Sequence, residues 1–129
     1  MCVDRRFVHP LQKEFESLTG LKSGDYWVST AAGGSPKMDA PPKAKELFDI
    51  SPDYAYENGA TMFAWCAHGS ICGGYGGKAK GVKDVEILKE LIETFHGRVS
   101  EFPNAEHWAI FITDTPKKGT IWRMGPIKL

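Results

Sequence analysis

Apolar residues fall at Leu11, Phe15 and Leu18 within Pro10 to Thr19, the i, i+4, i+7 spacing of one helical face, and Gly20 follows as a stop. The pattern predicts a short amphipathic helix. Beyond the turn residues Ser23 and Gly24, "DYWVST" is rich in aromatic and β-branched residues and predicts a buried strand, ending in the loop "AAGGSP". Pro41 and Pro42 lead into "KAKELF", and Ser51 before Pro52 has the form of an N-cap with proline at the first helical position, closed by Gly59. One or two short helical pieces are expected there. "ATMFAWCA" is a near-continuous apolar run of strand length, the pattern of a parallel strand covered on both faces, and is expected to be the central strand.

The next stretch, "HGSICGGYGG", is half glycine and predicts a loop at the C-terminal end of that strand. Asp84 has the position of an N-cap for "VEILKELIETFH". There Val85, Leu88 and Ile92 share one face, Ile87, Leu91 and Phe95 broaden it, and Gly97 is expected to end the helix. "HWAIFITD" and "TIWRM", joined by "TPKKG", predict a hairpin. This order of elements predicts an α/β fold with a mainly parallel β-sheet flanked by helices, plus an antiparallel C-terminal strand. A length of 129 residues fits one domain spanning 1–129. In such sheets, sites gather at the C-terminal ends of strands.

Lysine plus arginine and aspartate plus glutamate both number 16, so no net field draws the chain toward nucleic acid or an anionic membrane. No apolar run approaches the roughly 18 residues of a membrane span, and the N-terminus lacks the basic-then-apolar order of a signal peptide. Three cysteines at irregular spacing fit a reducing compartment, so a cytoplasmic location is expected and the thiols point to metal binding or reactivity.

If the first residues begin as a strand, Cys2, Asp4 and Arg6 project to one side, because side chains alternate with period two. His68 ends the apolar strand and Cys72 follows it, so Cys2, His68 and Cys72 together offer two sulfurs and a nitrogen. Such a set leaves tetrahedral zinc one open position, which is the arrangement of a catalytic site. Water held there has its pKa lowered to about 7, which suits a hydrolase or hydratase. Blander readings weigh against each residue alone. Cys66 in an apolar strand reads as a small core residue, a histidine at a strand end is more often hydrogen-bonded than metal-bound, and Asp4 with Arg6 makes an ordinary surface ion pair. "GGYGGKAKG" lacks the spacing and the serine or threonine of a phosphate-binding loop.

Taken jointly, the segments resemble the β-class carbonic anhydrases. "CVDRR" is similar to that family's cysteine, x, aspartate, small residue, arginine strand end, and "GLKSGDYWVSTAAGG" to the segment that closes in its arginine-asparagine-alanine-glycine-glycine strand. "FAWCAHGSICGG" resembles the strand followed by histidine, two residues, cysteine and glycine, and "HWAIFITDTPKKGTIW" the last hairpin-like return. The resemblance implies a β-carbonic-anhydrase-like fold, zinc on Cys2, His68 and Cys72, and Asp4 orienting the zinc-bound water with Arg6 holding Asp4. It also implies reversible hydration of carbon dioxide to bicarbonate and a homodimer or higher homo-oligomer. The chain departs from the family at three places. Three residues separate His68 from Cys72, Arg5 stands at the small-residue position, and "STAAGG" lacks the arginine and asparagine. Two alternatives stay open: a zinc-binding relative without activity that serves as a structural or interaction module, and a carbonyl sulfide or carbon disulfide hydrolase.

Overall fold

The computed structural model describes residues 5–30, 42–69, 84–113 and 120–129. The elements are α1 (Arg5–Thr19), α2 (Pro42–Glu57), β1 (Met62–His68), α3 (Asp84–Glu101), β2 (Glu106–Thr113) and β3 (Thr120–Ile127). The fold is α/β with a three-stranded mixed sheet of order β1-β2-β3.

β1 runs parallel to β2 in a register from Met62 opposite Glu106 to His68 opposite Ile112, and β2 runs antiparallel to β3. One pair of each kind means that the sheet is not mainly parallel, which corrects the expected architecture. The apolar run of β1 was expected at the centre, yet among the described strands β2 is central and β1 lies at an edge. Continuous apolar character reports burial on both faces, and helices on both faces supply that without a strand on each side.

Alternation along the strands sorts the core into two halves. Phe63, Trp65 and Ala67 of β1 join Ala109 and Phe111 of β2 under Ile87, Leu91, Phe95 and Val99 of α3. On the opposite face Cys66, Ile110 and Ile112 pack against Phe7, Leu11 and Phe15 of α1. The α3 ridge is Ile87, Leu91 and Phe95, whereas Val85 is 65% exposed. The expected stop at Gly97 does not occur: α3 continues to Glu101, burying Arg98 and Val99 in the extra turn. That burial outweighs the roughly 1 kcal/mol of glycine's poor helix propensity.

α1 starts five residues earlier than the sequence pattern suggested, because Phe7 extends the Leu11 and Phe15 ridge by one further turn. Pro10 lies inside the helix. Gly20, at φ 75°, ends it by donating to the Glu16 carbonyl at 2.8 Å. α2 is one continuous helix through Pro52 and not two pieces. It closes as expected at Gly59, where Gly59 donates to Tyr56 and Ala60 to Ala55 in a Schellman arrangement. The predicted strand at Asp25–Thr30 is absent: these residues pair with no strand, and Trp27 is 66% exposed. The C-terminal hairpin is present as expected, with Gly125 and Pro126 forming a bulge opposite Trp108. Among the described residues, no helix is long and apolar enough to cross a membrane.

Candidate metal centre

His68 is the last residue of β1, on the α1 face of the sheet, and only 1% of its surface is exposed. Phe7 of α1 lies flat on the imidazole, with ring centroids 4.0 Å apart and planes within 8°. The ring's Nδ1 sits 2.6 Å from the Gly69 carbonyl oxygen. A carbonyl only accepts, so Nδ1 carries a proton and donates it. A metal-binding histidine is commonly oriented this way, with one ring nitrogen donating to a backbone carbonyl and the other turned to the ion.

The strand end itself is fixed by neighbours. Gly69 donates its N–H to the Ile112 carbonyl at 2.9 Å, which continues the β1–β2 pairing one step past His68. A Cβ at Gly69 would overlap the Asp84 carboxylate, so α3 begins hard against this point of the backbone. The sequence assigned Asp84 a capping role alone; the structure also brings its carboxylate to the C-terminal end of β1.

Arg6 was expected at a strand end with Cys2 and Asp4. It lies in the first turn of α1 instead, so period-two alternation does not govern where its side chain projects. The guanidinium lies 5.1 Å from the centre of the Phe7 ring. Phe7 thus lies between its chain neighbour Arg6 and the stacked ring of His68. Cys2, Asp4 and Cys72 lie outside the described residues. Within the described residues no group of three or more histidine, cysteine or acidic side chains is gathered.

Cys66 follows the core reading. It is buried among Phe7, Leu11 and Ile110, and burial pushes its thiol up to about 11, so it stays protonated and is a poor metal ligand. A second histidine, His107, was not singled out from the sequence; it is fully buried on the α3 face, with Trp65 Nε1 donating to its Nδ1 at 3.1 Å. The signal that pointed to it is its place in the alternation of β2, directly opposite Phe63.

Along the outer edge of β1, a groove of about 840 Å³ opens between α1, the 21–30 segment and α2. Its described lining includes the exposed Trp27, Val28, Ile50 and Tyr54 and reaches Cys66 but not His68. The groove is therefore a neighbour of the candidate centre and separate from it. Comparison with protein-family models, with curated proteins and with solved structures yields no match for this chain.

Proposed function

We propose that the chain is a zinc-dependent carbonic anhydrase that hydrates carbon dioxide reversibly to bicarbonate, with Cys2, His68 and Cys72 as the ligands. The observation that carries this reading is the state of His68. A buried imidazole whose Nδ1–H is committed to a backbone carbonyl has the orientation common to metal-binding histidines, at the strand end where the sequence also supplies a cysteine four residues on. These residues fit zinc: sulfur and imidazole nitrogen are its preferred donors, and three protein ligands leave a position for substrate water. When bound, zinc supplies Lewis-acid activation of water at neutral pH.

The chain's own residues carry the remaining roles. His68 is held in one orientation by the Phe7 stack. Asp4 accepts a hydrogen bond from the attacking water and so directs its lone pair toward carbon dioxide. Arg6 keeps the Asp4 carboxylate ionised through opposite charge and its forked donors. The apolar surroundings of Phe7, Ile112 and Cys66 suit an uncharged, linear substrate and disfavour the anionic product, which helps release it.

The test is zinc content and stopped-flow carbon dioxide hydration measured on one purified sample. The expected result is about one zinc per chain with turnover, and loss of both in His68→Ala. Zinc without turnover would rule out the catalytic part of the reading, and absence of zinc would rule out the whole of it.

A further inference from the structure

On the face of the sheet away from His68, a second buried histidine has both ring nitrogens committed. Trp65 Nε1–H donates to His107 Nδ1 at 3.1 Å, and His107 Nε2 lies 2.9 Å from the Phe102 carbonyl. The indole N–H can only donate and the carbonyl can only accept, so the ring is the neutral tautomer protonated at Nε2. A protonated His107 would carry hydrogen on both nitrogens, and two N–H groups would then face each other across the contact with Trp65.

We propose that the Trp65–His107–Phe102 relay is an acid-sensitive latch, which holds the end of α3 and the 102–105 turn on the sheet and releases them when His107 takes up a proton.

The surroundings leave the cation no compensation. Phe63 and Trp65 lie within 20° of the plane of the His107 ring, Phe102 stacks on Phe63, and His107 has no exposed surface, so the cation would be out of contact with bulk water. From α3, the Arg98 guanidinium lies 5.2 Å from the Trp65 ring centre; being a cation, it is no counter-ion for a protonated His107. Its two acidic partners, Asp49 of α2 and Glu101 of α3, each bond Arg98 at 2.7 Å and are thereby occupied. From α2, Tyr56 spends its hydroxyl on the Pro103 carbonyl. β1 contributes only Phe63, Trp65 and Ala67 to this face. β3 offers the backbone of Ile127 opposite His107, followed by Lys128. Burial accordingly lowers the His107 pKa from its ordinary value, opposed by the bond to Phe102.

The linkage sign follows. The unfolded chain binds the proton near the ordinary histidine value of about 6.5 and the folded chain only at lower pH. The latch is fully effective above about pH 6.5, and the folding constant falls about tenfold per pH unit below it, until the folded pKa is reached. His68, the other buried histidine, is distinguished by following each ring separately.

The experiment is an NMR pH titration of both imidazoles with near-UV circular dichroism of Trp65 on the same full-length chain. The expected result is a His107 ring that keeps the Nε2–H tautomer to a pH below the ordinary histidine range, then a transition in which it gains a proton as the Trp65 signal collapses. Trp65→Phe removes the opposing N–H and should raise the pH of that transition by about one unit or more; His107→Gln, which still accepts and donates but cannot titrate, should abolish the transition. Protonation of His107 at an ordinary pH with the Trp65 signal intact overturns the proposal, and so does a Trp65→Phe transition at the wild-type pH. If His107→Gln fails to fold, the wild-type titration and Trp65→Phe decide alone.

Discussion

At Gly69 the end of the Asp84 side chain occupies the position a Cβ would take, so an alanine there must push the carboxylate aside. Gly69→Ala should therefore destabilise the fold by about 1–3 kcal/mol, as overpacking generally does. The cause can be isolated. In Gly69→Ala/Asp84→Ala the obstructing carboxylate is gone, so the double variant should lose less than the sum of the two single changes, measured by urea denaturation. Additive losses would mean that the glycine is needed for some other reason. Because Gly69 also supplies the carbonyl that fixes the His68 tautomer, Gly69→Ala should weaken zinc binding as well, whereas Asp84→Ala alone should affect it less. Two buried histidines on opposite faces of the sheet illustrate how the same residue type diverges. His68 donates from Nδ1 to a backbone carbonyl, while His107 accepts from Trp65 and donates to Phe102 and is thereby suited to holding structure.

At the scale of elements, two glycine positions separate two different requirements. Gly97 lies inside α3 with open space where a Cβ would go, so Gly97→Ala should stabilise the protein by about 0.5–1 kcal/mol, read as a higher urea midpoint at unchanged slope. Gly125 is the opposite case. Its φ of 116° and the His107 carbonyl beneath it leave no place for a side chain, and Gly125→Ala should cost more than Gly97→Ala gains. These two positions also show why the sequence was only partly legible. A glycine after an apolar helical run reads as a stop whether or not the ridge continues, and only the burial of Val99 and Arg98 beyond it reveals that α3 goes on. Pro10 misled in the same way. Proline in a first turn signals a start, but Phe7 lies one turn earlier on the same buried stripe, so α1 begins at Arg5 and takes Arg6 out of the expected strand. The hairpin and β1 were legible because strand-length apolar runs bounded by glycine and charge leave few alternatives. "DYWVST" has strand composition, yet composition supplies no pairing partner, and in the structure Trp27 and Val28 face the groove's opening without one.

Across the whole molecule, His68 is set by three elements whose residues are far apart in sequence. β1 brings it to the strand end, β2 holds the next peptide through the Ile112 carbonyl, and α1 clamps the ring with Phe7. If His68 binds zinc as proposed, a ligand so oriented loses little freedom on binding, and the binding energy appears as stability of the α1–sheet unit as a whole. Zinc at about a hundred times its dissociation constant should then raise the unfolding free energy by about 2.7 kcal/mol, and a chelator should remove that increment. The contribution of the clamp is separable from that of the core. Phe7→Leu and Phe15→Leu shorten the same buried stripe of α1 and should reduce metal-free stability comparably, but only Phe7 touches His68. Phe7→Leu should therefore weaken zinc affinity several-fold where Phe15→Leu does not, as read by competition with a chromogenic chelator. Equal affinities in the two variants would mean that α1 merely covers the sheet and that the orientation of His68 is set within β1 and Gly69 alone.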